Sequence, residues 1–202
     1  MIYLIGGPAR CGKSTLAARV RKEIDGQVIA GDAFVHALQE NLEPEWVPDI
    51  FDHVTASVAT ATSSEAKIDR LRRRDEAMWQ FYQSYIQTAV GDAPADGILI
   101  EGNIWPDFLE LFELKHTAAF LVDTSPLQYE RLMNIRDSDS DNNWMQNFSD
   151  EKMHEWAKFN AKRSERYVAL CQQYGYAAFD IAELGIQEAE HAAFGYLLGK
   201  AV

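Results

Sequence analysis

Cysteine is scarce in this chain: Cys11 and Cys171 are the only two among 202 residues. No close pair has metal-ligand spacing. Neither a disulfide framework nor a cysteine-held metal is therefore expected, and reduced thiols fit a cytoplasmic protein. Long apolar runs are missing too. None approaches the ~20 residues that span a bilayer, and the opening MIYLIGG lacks the basic start of a signal peptide. The expected setting is cytoplasmic, away from membranes. Positive charge is in deficit, with 19 Lys and Arg against 31 Asp and Glu for a net charge of −12. Phosphate backbones are bound by surplus Lys and Arg, so this balance argues against a nucleic-acid partner. It leaves room for a basic cleft around a small phosphate ligand. There are no internal repeats and no low-complexity linkers, and the length suits one domain over residues 1–202.

Among the residues present, five short apolar runs read as strands: Ile2–Ile5, Gln27–Ala30, Ile98–Glu101, Ala118–Asp123 and Tyr176–Asp180. Several are continuously apolar, as in parallel strands covered on both faces. Helical patterns separate them, which predicts an α/β sheet. Helices are expected from Ser14 to Ile24, from about Ala66 to Val90, and from Pro126 to about Ile135 with Thr124 or Ser125 as cap. Two more run from Asp150 to Tyr174, between Ser149 and Gly175, and from about Ile186 to Leu198. The second is carried by Ile68, Leu71, Met78, Tyr82, Tyr85 and Ala89, which form one apolar stripe. Gly31 to Asp96, 66 residues, is far more than a crossover needs. A helical insert over about residues 33–95 is expected above the C-terminal edge of the sheet, where α/β ligands bind. The polar stretch over about residues 136–150 reads as a mobile lid.

The sharpest motif is GGPARCGKST, Gly6 to Thr15, which fits G-x-x-x-x-G-K-[ST] with Gly7, Gly12, Lys13 and Ser14. Its glycines let backbone N–H groups turn onto phosphate oxygens. Lys13 supplies charge near the β- and γ-phosphates, and Ser14 can ligate Mg²⁺. Ala9, Arg10, Cys11 and Thr15 complete the set of residues around the nucleotide. The motif follows an apolar strand and opens a helix, whose N-terminal dipole adds to the anion site. Cys11 is either an oxidation-sensitive switch or a small filler.

Phosphoryl transfer needs positioning, a metal, charge stabilisation and a group to activate the acceptor. Asp32, just after the second strand, can accept a proton from an acceptor hydroxyl or hold the magnesium shell. Its other available role is N-cap of the helix through Phe34 and Leu38. Glu101 ends the third strand in the Walker B arrangement, in which a carboxylate orders a metal-bound water; the rival is a structural carboxylate. Asn103 and Trp105 follow and are candidates to line an acceptor pocket, with core packing open to Trp105. Arg131 and Arg136, late in a helix beside the lid, are placed to clamp phosphates. Arg163 and Arg166 lie three apart and are either a phosphate pair or, with Lys158 and Lys162, a solvated face. Arg70, Arg72, Arg73 and Arg74 either greet an anionic acceptor or pair with Asp69, Asp75 and Glu76. Ile181 and Ala182, past Asp180, are expected near the nucleotide base. The five histidines are scattered and form no site, and no Ser–His–Asp or Cys–His grouping stands out.

Together the GGPARCGKST loop, the aspartate of VIAGDAF, the ILIEGN strand and the Arg131–Arg136 pair resemble the adenylate kinase-like group of small P-loop kinases. The part around Asp32 is most similar to chloramphenicol phosphotransferase, zeta toxins and 2-phosphoglycerate kinase-like proteins. The resemblance implies a three-layer fold with a five-stranded parallel sheet in the order 2-3-1-4-5. It also implies ATP with Mg²⁺ as donor, Asp32 as base, lid arginines matched by Arg131 and Arg136, and a lid that closes on binding. The function expected is transfer of the ATP γ-phosphate to a small-molecule acceptor. A nucleoside or nucleotide kinase is the alternative, with Trp79, Phe81 and Tyr82 stacking on a base. A nucleotide-dependent switch or toxin-like regulator is a further one, although the chain has no N-K-x-D motif for guanine.

Overall fold

The computed structural model describes residues 1–24, 26–43, 45–46, 48–51, 63–92, 97–138 and 145–200. Five strands, β1 (Ile2–Gly6), β2 (Gln27–Ala30), β3 (Ile98–Glu101), β4 (His116–Val122) and β5 (Ala177–Asp180), form one sheet in the order β2-β3-β1-β4-β5. Every pairing is parallel, as the continuously apolar runs predict. The strands alternate between two cores. Leu4, Ile98, Ile100, Phe120 and Val122 face one, while Ile5, Leu99, Ala119 and Leu121 face the other. Because successive side chains point to opposite faces, both must be covered, and both are apolar.

Helix α1 (Lys13–Val20) and the last helix, α8 (Ile186–Leu198), cover the second face. The first face packs on α4 (Ser64–Asp92) and α6 (Asp150–Tyr174). Between β2 and β3 lie α2 (Gly31–Asn41), α3 (Pro48–Phe51) and α4. Residues 44, 47, 52–62 and 93–95 of the expected insert, and 139–144 of the expected lid, lie outside the described residues. After β4 comes α5 (Gln128–Arg136), and after β5 the short α7 (Ile181–Leu184). One 3₁₀ turn, Pro106–Leu109, follows β3.

Several boundaries differ from expectation: β4 begins earlier, at His116, and ends at Val122, and β5 begins at Ala177. α1 stops at Val20, and the chain then closes tight turns in which Glu23 N–H donates to the Val20 carbonyl. α5 begins at Gln128 without a side-chain cap. Thr124 is committed elsewhere, its hydroxyl donating to Asp180, while Ser125 Oγ accepts from Leu127 N–H before the helix starts. α6 does begin on Ser149, whose side chain accepts from Lys152 N–H, and ends on Gly175 at φ 74°.

Register brings the functional ends together. Ile5 and Ala30 both pair with Glu101, Gly6 pairs with Phe120, and Val122 pairs with Asp180. Gly6, Ala30, Glu101, Val122 and Asp180 thus end at one edge of the sheet, and the loop motif opens directly over it.

Candidate active site

The Gly6–Thr15 loop leaves β1 and enters α1 with Gly7 at φ 130° and Gly12 at φ 84°. At Gly7 the backbone of β4 lies so close that an added Cβ would overlap the Leu121 carbonyl. Glycine is required there by approach as well as by dihedral. Arg10 also takes a positive φ, 65°, unusual outside glycine. The loop is tied down from outside: Arg131 Nη1 donates to the Arg10 carbonyl at 2.6 Å, and Asn160 Nδ2 to the Ala9 carbonyl at 3.3 Å. Lys13 Nζ lies across the loop and donates to the Pro8 carbonyl at 2.7 Å. Burial lowers the pKa of its amine, and nearby Glu101 works against that shift.

Ser14 Oγ donates to Glu101 Oε1 at 3.4 Å. Glu101 is only 8% exposed, and burial raises its carboxyl pKa, opposed by Lys13. Two oxygen donors facing each other beside the loop suit a hard cation that keeps several waters, as Mg²⁺ does. No group of three or more His, Cys, Asp or Glu among the described residues is placed to hold a metal ion by itself, so an ion beside these two would need further oxygens from a phosphate or water.

A cavity of about 560 Å³ opens over the sheet edge, within the range of small-ligand sites. Ala9, Arg10, Gly12, Lys13, Ser14 and Thr15 line one end. Asp32, Glu101, Asn103 and Arg131 line it as well. Asp32 stands exposed in the first turn of α2 and does not cap it, because the N-cap is Ala30, with no side-chain bond. Arg131 Nε and Nη2 both donate to Asp123 Oδ2, at 3.1 and 2.6 Å. That carboxylate is 1% exposed, so a buried ion pair braces the loop.

Other candidates stand apart from the cavity. Arg136 donates to Asp137, to Asp150 at 2.5 Å and to the Phe148 carbonyl at 3.1 Å, which fastens the end of α5 to the start of α6. Trp105 is a core residue, stacked on Tyr167 at 4.2 Å and donating from Nε1 to Asp75 Oδ2 at 2.8 Å. Ile181 and Ala182 do not reach the cavity, because Asp180 caps α7 through Ala182 N–H and turns the chain before Ile186, which does line it. Arg166 pairs with Asp69 and Lys162 with Glu65, so neither joins Arg163. Trp79 is buried against Phe112, whereas Tyr82, buried with Phe34 stacked on its ring, borders the cavity. Cys11 is 2% exposed, and burial pushes its thiol up to about 11, which favours the small-filler reading.

Sequence reasoning missed Asp75 as a lining residue of the cavity, named Tyr82 there only as a base-stacking ring, and left Arg74 and Arg163 undecided. A signal was present. Asp75 falls on the stripe of Leu71, Met78 and Tyr82 at helical spacing, and Arg163 falls on that of Trp156, Asn160 and Tyr167. A charge on a buried stripe marks a place where polarity serves something other than solvation.

No protein-family model and no curated protein matches the chain. Solved structures do. A shikimate kinase from Bacteroides thetaiotaomicron is 16% identical, with 98% of each chain covered and a TM-score of 0.54. A putative kinase from Chloroflexus aurantiacus is 11% identical over 100% of this chain and 98% of that one, with a TM-score of 0.53. TT1252 from Thermus thermophilus is 18% identical over 98% and 97%, with a TM-score of 0.52. The fold is that of a P-loop kinase. At these identities the likeness is one of architecture, and no helix among the described residues is long and apolar enough to cross a membrane.

Proposed function

We propose that this chain is a kinase that transfers the γ-phosphate of ATP, with Mg²⁺, to a hydroxyl of a small metabolite. The observation that carries the reading is the sharing of one cavity by the loop residues Lys13 and Ser14, the carboxylates Asp32 and Glu101, and Arg131. Structural neighbours titled as kinases support it at the level of fold. The finer placement beside chloramphenicol phosphotransferase, zeta toxins and 2-phosphoglycerate kinase-like proteins rests on the position of Asp32 after β2.

In this reading the loop N–H groups and Lys13 hold the triphosphate, Lys13 exchanging the Pro8 carbonyl for phosphate oxygens. Ser14 and Glu101 would hold Mg²⁺, which when bound neutralises charge on the β- and γ-phosphates. Asp32 takes the proton of the acceptor hydroxyl. The acceptor oxygen then bonds to the γ-phosphorus as the bond to the β–γ bridging oxygen breaks, and ADP leaves with that oxygen. Arg131 keeps the loop in shape and offers charge to the transferring group. Arg136 acts there only after releasing Asp137 and Asp150, which is the motion expected of a closing lid. A thermal-shift screen of metabolites beside a non-hydrolysable ATP analogue tests the reading, because an acceptor stabilises the complex by mass action. Failure of the analogue itself to stabilise the protein would remove it.

A further inference from the structure

The α6 wall of the cavity holds a charge that the protein leaves unmatched. Arg163, on α6, is 1% exposed and lines the cavity. Its hydrogen bond to Asn103 is long, from Nη2 to Oδ1 at 3.4 Å, its Nε has no partner, and its other polar neighbour on α6 is the neutral Tyr167 hydroxyl. The guanidinium is held between aromatic rings, its Cζ 5.6 Å from the Phe159 centroid and 5.9 Å from that of Trp105. Buried arginines ordinarily sit in fork-to-carboxylate pairs, because an unpaired buried charge is costly.

The nearest acid does not supply that pair. Asp75 is 4% exposed, and its oxygens are taken, Oδ2 by Trp105 Nε1 at 2.8 Å and Oδ1 by Asn103 Nδ2 at 3.3 Å. It feels the charges of Arg163 and Arg74 without an ion pair to either, and burial, the largest effect, pushes its carboxyl up to about 6. Arg74 also lines the cavity. Its neighbour Arg72 is neutralised by Asp107, whereas Arg74 forms no ion pair among the described residues. Two guanidinium groups face one carboxylate here, so one positive charge is left over. Lys13 and Arg10 already feel the charges of Asp32 and Glu101, and Lys13 feels Arg163 as a further like charge, so those two acids do not cancel the surplus that Arg163 brings from α6.

We propose that Arg163 and Arg74 form an oxyanion subsite, and that the acceptor is a small hydroxylated acid. Its carboxylate or phosphate rests on the two guanidinium groups while its hydroxyl reaches Asp32. The planar fork of Arg163 matches either group. The subsite stands on the arginines alone; the naming of its occupant as the acceptor rests on the kinase reading above.

The test uses the whole chain with its nucleotide end saturated by a non-hydrolysable ATP analogue and Mg²⁺. Acetate or methylphosphonate is then titrated at constant ionic strength, with chloride as the balancing anion. Tryptophan fluorescence is the readout, since Trp105 lies against Arg163. Saturable quenching or enhancement is expected with half-saturation on the order of millimolar for a single-group anion. In Arg163→Lys and Arg74→Ala the half-point should rise at least about fivefold, while analogue affinity stays within about twofold, because a lysine or a truncated side chain cannot reproduce the fork. Should Arg163→Lys lose its far-UV circular dichroism, Arg74→Ala decides, being on a half-buried position. Stronger binding of acetate identifies a carboxylic acid acceptor, and stronger binding of methylphosphonate a phosphate ester. No saturable response to either anion in the wild type, or the same half-point in a folded variant, overturns the proposal. If the analogue does not bind, the kinase reading fails, and the same titration without it still decides the subsite.

Discussion

An alanine at Gly7 would have to place a Cβ within 3.0 Å of the Leu121 carbonyl carbon and 3.3 Å of its amide nitrogen, closer still to its oxygen. All three are backbone atoms of β4, a strand hydrogen-bonded on both sides by β1 and β5, so nothing flexible can give way. The residue also sits at φ 130°, where an L side chain is strained by about 1–3 kcal/mol. Overpacking against a fixed wall adds about 1–3 kcal/mol, and the gain from a stiffer unfolded chain returns only about 0.4–1 kcal/mol. The net cost of Gly7→Ala is therefore about 1–5 kcal/mol, a large part of a typical domain's stability. Gly12 is the internal control. It too has a positive φ, 84°, but no atom lies within 4 Å of its would-be Cβ, so Gly12→Ala should lose only about 1 kcal/mol. Urea unfolding of both variants separates strain from collision, and ATP-analogue titration should show a greater loss for Gly7→Ala. Equal destabilisation of the two would refute the claim that contact with β4 dictates glycine at position 7.

Further outcomes follow from the same geometry. Arg131→Ala leaves Asp123 as a buried carboxylate without its cation, costing about 3–5 kcal/mol in urea unfolding. Arg131→Lys should keep part of that stability yet weaken ATP-analogue binding, because one ammonium cannot serve both Asp123 and the Arg10 carbonyl. Asp75 titrates at about 6 in the folded chain against about 3.9 unfolded. The unfolded chain thus binds fewer protons in that window, and its contribution to stability falls as pH rises from about 4 to 6. Comparing urea midpoints of wild type and Asp75→Asn across that range should show the fall in the wild type and its reduction in the variant. Ser149→Ala removes the cap of α6 and should cost about 1 kcal/mol by thermal unfolding, without altering analogue affinity.

The sheet was legible because its signal is local. Runs such as ILIE and HTAAFLV alternate between two apolar cores, and that double burial shows as an unbroken apolar string. The ends of α6 were legible for the same reason, since Ser149 and Gly175 act within one turn of their own backbone. The phosphate loop was readable as chemistry, but not the contact of Gly7 with β4, which depends on a strand more than a hundred residues later. Local competition misled the reading of α5, where Thr124 is drawn to Asp180 rather than to the helix. The α4–α6 side of the cavity was hardest. Asp75, Asn103 and Arg163 come from three separate elements and meet only through tertiary packing. The sequence trace of that meeting is a charged residue on each of two otherwise buried helical stripes.

The central claim is that the loop and Asp32 belong to one phosphoryl-transfer site. It is tested most directly by incubating the protein with γ-labelled ATP, Mg²⁺ and a desalted metabolite extract, then separating labelled small molecules by chromatography. The account predicts a labelled product with wild type and a loss of at least about a hundredfold with Asp32→Asn, although that variant binds an ATP analogue normally. Full transfer by Asp32→Asn, or inorganic phosphate as the sole labelled product of a wild type that binds ATP, would contradict it.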